Sequence, residues 1–172
     1  MNIGVTVIKS RRSIRKYRDT PIPSDVIHDA LECARQAPTA RNAQPWLFGT
    51  VENRETLKKI ADLADSGRFI ADARVCFAVF AKKNEKYYLE DGCAATTQLI
   101  LGLWAYGVGS CWVAGDKKSY ADQIRTLLGV PDTYTLVALV PAGYPADMPA
   151  GELLVKKKDL PDITFKEQFK AK

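Results

Sequence analysis

VCFAVFA, residues 75–81, is an uninterrupted apolar run rich in valine and phenylalanine. A strand with one wet face alternates apolar and polar residues, so a run without alternation predicts a strand covered on both faces. The flanking sequence supplies the covers. Downstream, residues 91–106 (DGCAATTQLILGLWAY) predict a helix that is apolar nearly all round, with Thr96, Thr97 and Gln98 as its polar patch. Such a helix is buried on most sides, either inside the domain or against another subunit. Upstream, Ser24 to about Ala37 predicts a helix capped by Ser24, with Val26, Ile27, Ala30, Leu31 and Ala34 on one face and Pro38 ending the pattern.

The same reading extends to both ends. Pro45 to Val51 predicts a short strand, and Glu55 to about Ala64 a helix facing inward through Leu57, Ile60, Ala61 and Ala64. Val108–Ala114 and Tyr134–Val140 are further strand candidates. Between them Ser119, with Asp122 three residues on, opens a helix carrying Ile124, Leu127 and Leu128, closed by Gly129 and Pro131. Helices and strands therefore interleave around a sheet of about four strands, an α+β or three-layer arrangement.

At 172 residues and 19.0 kDa the chain is expected to form one domain, 1–172, without internal repeats or long linkers. A domain of this size buries roughly 70% of its unfolded surface, so neither metal nor disulfide is required. Cys33, Cys76, Cys93 and Cys111 are scattered and His28 is the lone histidine, so no metal-ligand spacing occurs and no metal is expected. His28 lies one position beyond the apolar stripe of its helix and is expected at the surface. No apolar run approaches the roughly 20 residues of a membrane helix, and the basic residues of MNIGVTVIKSRR follow its apolar stretch, so a cytoplasmic location without membrane contact is expected.

The net charge of +5 is unevenly spread. Residues 9–18 (KSRRSIRKYR) hold six bases and no acid, and residues 156–172 carry six bases against three acids, leaving the rest of the chain at −4. A protein that coats nucleic acid spreads its bases over a face. Concentration at two ends fits two small anion sites, or one shared site, better, with a small basic nucleic-acid-binding module as the contrasting reading. After Tyr144 the tail is punctuated by Pro145, Pro149, Gly151 and Pro161 and is too short to fold alone. Its Leu153, Leu154, Val155, Ile163, Phe165 and Phe169 predict that residues 145–172 pack across a second copy of the protein.

Three segments can carry chemistry. In R11-R12-S13-I14-R15, an extended backbone would point Arg11, Ser13 and Arg15 the same way, making either a phosphate cradle or a solvated basic turn. The stiff loop A37-P38-T39-A40-R41-N42-A43-Q44-P45-W46 offers Asn42 and Gln44 amides that either read a heterocycle edge or serve their own backbone. G107-V108-G109-S110-C111-W112-V113-A114-G115-D116 lacks the Rossmann glycine spacing but has glycines that permit close backbone approach to a flat ligand. Cys111 is either a small core residue or a thiol near that ligand.

These segments, in order, with L-L-G-V-P and V-A-L-V-P-A-G-Y-P after them, resemble the nitroreductase family of FMN-dependent oxidoreductases over almost the whole chain. The resemblance implies an α+β, three-layer fold with a mostly antiparallel sheet, a homodimer, and a tail exchanged across it. It implies that Arg11 and Ser13, with Arg12 adjoining, bind the FMN phosphate and ribityl chain, and that Arg15 lies near the pyrimidine edge of the flavin. Pro38, Thr39, Ala40, Asn42 and Gln44 would line the ring from the other subunit, the backbone of Val113, Ala114 and Gly115 would approach its N5 edge, and Lys156 and Lys158 would close the phosphate site. It further implies ping-pong reduction of nitroaromatics, quinones or similar small-molecule acceptors by NADH or NADPH, with no catalytic side chain named. A reductive dehalogenase or flavin-fragmenting enzyme of the same superfamily is the alternative. Only Lys82–Glu90 stands where larger members insert pocket helices.

Overall fold

The structure is a computed structural model describing residues 2–147 and 157–169. Its centre is strand β2 (Val75–Lys82), buried from Val75 to Ala81. β1 (Trp46–Val51) pairs along one edge of β2 and β5 (Tyr134–Gly143) along the other, both antiparallel. β3 (Gly109–Ser110) and β4 (Val113–Ala114) add to the far side of β5, also antiparallel, completing five strands.

Alternation along β2 divides the core. Val75, Phe77, Val79 and Ala81 face a cluster with α2 (Ser24–Arg35) and α4 (Tyr88–Ala105), through Val26, Ala30, Leu99 and Leu103. Cys76, Ala78 and Phe80 face a second cluster with α3 (Arg54–Leu63) and α5 (Ala121–Leu127), through Leu57, Ile60 and Ile124. The sheet is thus the middle of three layers, which is why β2 needs apolar residues at every position.

The single strand expected over 108–114 is two pieces with a common register. Gly109 pairs with Gly143 and Ser110 with Ala142, while Val113 pairs with Leu139 and Ala114 with Ala138. The gap falls opposite Pro141, whose carbonyl accepts from the Cys111 amide at 3.2 Å. Proline has no N–H to return, so the ladder breaks there.

Helix termini differ from expectation in detail. Ser24 begins α2 but does not cap it; the N-cap is Pro23, with no side-chain bond. Ser119 does not cap α5 either, because that helix starts after Tyr120. By contrast Asn53 caps α3, accepting from the Thr56 amide at 3.0 Å. Gly129 ends α5 with φ +67°, the left-handed conformation glycine adopts without a Cβ penalty.

Two segments carry apolar residues that the described chain leaves bare. α1 (Ile3–Ser10), capped by Asn2, buries none of its residues, and Ile3 and Ile8 are 82% and 61% exposed. In the tail, the single turn α6 (Leu160–Ile163) and the residues after it are exposed, and the Phe165 and Phe169 rings touch edge to face at 5.9 Å. Residues 145–147 instead lie on their own chain, where the Ala146 amide donates to the Lys16 carbonyl at 3.0 Å.

Candidate functional site

The segment after α1 is extended. Ile14 is buried, while Ser13 and Arg15 face outward. Ser13 forms a parallel bridge with Ser110, and the Ile14 amide donates to the Ser110 carbonyl at 2.9 Å. This contact explains Gly109: a Cβ there would sit 2.5 Å from Ile14 Cγ1 and 2.7 Å from its Cβ. Gly115 is constrained in the same way, since its Cβ would meet Leu136 Cγ at 2.6 Å. Both glycines are required by packing toward the protein interior. Gly107, with φ +72° and nothing within 4 Å of a built Cβ, serves the turn after α4.

Along 111–115 burial alternates, with Cys111, Val113 and Gly115 inward and Trp112 and Ala114 outward. Arg15, Phe69, Cys111, Trp112, Val113 and Ala114 line a cleft of about 200 Å³. Arg15 lies over the Phe69 ring, its guanidinium carbon 5.8 Å from the ring centre. Burial pushes the Cys111 thiol pKa up, against the opposing influence of Arg15, the Ser13 hydroxyl and Arg11. Cys111 is therefore a neutral, buried group among the very residues of the basic motif, and not an activated nucleophile. Ser13, bridged to Ser110, and Arg15, on the cleft lining, stand on the outward side of the extended segment, while Arg11 is half-buried at the end of α1.

Arg12 is placed differently. Its guanidinium donates to the Lys9 carbonyl at 3.0 Å and the Arg11 carbonyl at 2.8 Å, which ties it to the end of α1. On the other side of Arg15, a concavity of about 650 Å³ is lined by Lys16, Arg18, Arg54 and Lys58. Arg54 is already engaged there by Asp19 at 3.0 Å and the Ala73 carbonyl at 2.9 Å.

The amide loop forms a separate hollow. Pro38, Thr39, Asn42 and Gln44 line about 460 Å³ together with Arg35, and none of them lines the Arg15 cleft. Arg41, Asn42 and Gln44 all have positive φ, at 54°, 57° and 47°. Non-glycine residues in this region cost roughly 1–2 kcal/mol each, so the loop must be held by other contacts. The loop's own turn bonds supply some, from the Asn42 amide to the Thr39 carbonyl at 3.3 Å, the Ala43 amide to the Ala40 carbonyl at 3.0 Å and the Gln44 side-chain amide to the Asn42 carbonyl at 3.4 Å, and a buried carboxylate ties the loop to the sheet. Thr39 Oγ1 donates to Asp91 Oδ2 at 2.6 Å, the Ala40 amide donates to Asp91 Oδ1 at 3.2 Å, and the Gln44 amide donates to Thr39 Oγ1 at 3.0 Å. Asp91 had no role in the sequence reading; its signal was an acid opening an otherwise apolar helix.

Of the remaining expected residues, Val113 is buried and Ala114 exposed beside the cleft. Lys158 is exposed in the tail, and Lys156 lies outside the described residues. One chain thus brings Ser13, Arg15 and 113–114 to the β3–β4 edge of the sheet, with Arg11 at the start of that segment, and holds 38–44 as a second, separate set. Among the described residues no group of side chains could hold a metal ion, and no helix is long and apolar enough to cross a membrane.

The Nitroreductase family profile matches residues 8–74 and 65–144. A protein from Archaeoglobus fulgidus, provisionally named NADH dehydrogenase/NAD(P)H nitroreductase, is 35% identical over 147 residues, spanning 82% of this chain and 84% of that one. The iodotyrosine deiodinase of Thermotoga neapolitana is 25% identical over 186 residues, spanning 91% and 98%. Among solved structures, the FMN-dependent nitroreductase of Clostridium difficile R20291 superposes with a TM-score of 0.84 at 25% identity, covering 96% of this chain and 99% of that one.

Proposed function

The chain belongs to the nitroreductase family, and on that premise we propose that it is an FMN-dependent oxidoreductase in which NADH or NADPH reduces nitroaromatics, quinones or similar acceptors by a ping-pong scheme. The observation that supports this most is the placement of Ser13 and Arg15 beside the 110–114 backbone at the β3–β4 edge of the sheet, with Arg11 two residues before Ser13 on the same segment. Two guanidiniums flanking a hydroxyl suit a phosphate and its neighbouring hydroxyls. An open slot with an aromatic ring and an arginine on its lining suits a flat, electron-accepting ring. The residues present therefore fit FMN, which when bound supplies two-electron redox chemistry between a nicotinamide and an acceptor.

In this reading Arg11 and Ser13 hold the phosphate and ribityl chain, with Lys156 and Lys158 closing the site. Arg15 sets a positive charge at the pyrimidine edge, and the backbone of Val113, Ala114 and Gly115 borders the reacting edge. Arg12 adjoins the site while bracing the end of α1. Pro38, Thr39, Ala40, Asn42 and Gln44 complete the ring's surroundings from a second copy. Separation of the two residue sets within one chain supports that division, and the bare apolar surfaces of α1 and the 157–169 tail are what the second copy would cover. In this reading residues 1–172 form one domain of a cytoplasmic homodimer, with the tail exchanged between protomers. Light scattering under native conditions is expected to give twice the chain mass, and a monomer would contradict the shared site.

With NADPH and menadione, initial rates are expected to give parallel double-reciprocal lines, because donor and acceptor use the same cleft in turn. Intersecting lines would overturn the ping-pong scheme. The likeness to an iodotyrosine deiodinase supports a second reading, reductive dehalogenation on the same fold. Comparing turnover of nitrofurazone and 3-iodotyrosine decides between them: faster nitro reduction supports the first reading, faster deiodination the second.

A further inference from the structure

Asp91 is one of three polar residues buried among the described residues, and it is the one that carries a charge. It lies in the first turn of α4, where the positive end of the helix favours a carboxylate. The next residue is Gly92, whose Cβ would stand 2.8 Å from Val137 Cγ2, so this turn of α4 is pressed directly onto β5. Asp91 is thus fixed to the central sheet. Both of its oxygens are directed to the loop, one accepting from the Thr39 hydroxyl and the other from the Ala40 amide. Thr39 passes the restraint on, because its oxygen accepts from the amide of Gln44, itself left-handed, across the left-handed Arg41 and Asn42.

We propose that Asp91 is a positioning residue for the cofactor: acting through Thr39, Ala40 and the Gln44 amide, it holds the 39–44 loop in the strained shape that presents Asn42 and Gln44 to the flavin. This rests on the FMN reading above. The chemistry fits an anion better than a neutral acceptor, since a carboxylate accepts strongly at both oxygens. An Asn side chain in its place retains only one accepting oxygen, and its NH2 faces one of two donors. The loop then keeps only its internal turn bonds, from the Asn42 amide to the Thr39 carbonyl and the Ala43 amide to the Ala40 carbonyl, and loses its attachment to the sheet, so Asn42 and Gln44 lose their fixed direction before any flavin arrives.

The test uses the full-length dimer stripped of FMN and reloaded with it, comparing wild type with Asp91→Asn, Thr39→Val and Thr39→Ser. Dissociation constants for FMN come from quenching of its fluorescence, and the visible absorption band of the bound flavin is recorded for each. Asp91→Asn and Thr39→Val are expected to raise the dissociation constant about tenfold or more and to shift the band, whereas Thr39→Ser, which keeps the hydroxyl, stays within about threefold of wild type. Hydrogen exchange of the apo proteins provides a readout independent of the cofactor: the amides of Ala40 and Gln44 are expected to be protected in wild type and to exchange faster in Asp91→Asn, with the β2 amides unchanged. If Asp91→Asn does not fold, Thr39→Val decides through exchange at Ala40, an amide that bonds Asp91 and not Thr39: faster exchange there supports the proposal. Wild-type affinity and an unshifted band in that variant overturn the proposal, as does equal exchange at Ala40 and Gln44 in a folded Asp91→Asn. A wild-type protein that takes up no FMN would instead overturn the cofactor reading, which separates the two failures.

Discussion

Replacing Phe77 with alanine is expected to remove about 3–5 kcal/mol of unfolding free energy. Phe77 is fully buried in β2, with Thr50 beside it on β1 and Val140 on β5, so no edge of the sheet is free to collapse into the vacated space. Its ring lies in the cluster that seats α2 and α4 on the sheet. The loss therefore combines transfer of apolar surface with an unfilled cavity. Domains of this kind are stable by about 5–15 kcal/mol in all, so the variant should unfold at a much lower denaturant midpoint with an unchanged slope. A loss under about 1 kcal/mol would mean that the helical layer does not depend on the central strand.

Replacing Arg11 with alanine is expected to raise the FMN dissociation constant by about ten- to a hundredfold, the worth of one hydrogen bond to a charged group. The chain should remain folded, because Arg11 makes no side-chain bond to the rest of the described protein and stands at the surface end of α1. Arg12→Ala provides the contrast. Since the Arg12 guanidinium is bound to two carbonyls at the end of α1, its loss should loosen that helix and affect FMN less. Unchanged FMN affinity in Arg11→Ala, measured by fluorescence quenching, would remove Arg11 from the phosphate site.

The elements that were legible in sequence are those whose burial is complete or whose ends are chemically marked. VCFAVFA announced β2 because both of its faces are dry, and Gly129 with Pro131 announced the end of α5 because a left-handed turn needs glycine. α1 went unread: Ile3, Val5, Val7 and Ile8 are β-branched and favour strands, and its helix packs little of its surface on its own chain. The break in 108–114 could not be foreseen from that segment, because its cause is Pro141 on another strand.

The candidate site divides the same way. The outward placement of Ser13 and Arg15 was readable because an extended segment has period two, and the buried Ile14 between them fixes the phase, whereas Arg11 and Arg12 at the end of α1 are half-buried alike. The glycines of 107–115 were readable as a requirement but not as to cause, since the clashing atoms belong to Ile14 and Leu136. Asp91 was hidden because its partners lie some fifty residues away, and the helix it opens reads as apolar nearly all round. His28 is exposed on α2, as its place beside the apolar stripe predicts. Burial raises the Cys76 thiol to about 12, and Cys111 is likewise buried, so both behave as core residues.

The cofactor reading is tested most directly by the absorption spectrum of the purified protein before and after denaturation. A yellow protein that releases FMN in equimolar amount to the chain is the expected result. A colourless protein that also fails to bind added FMN would contradict it.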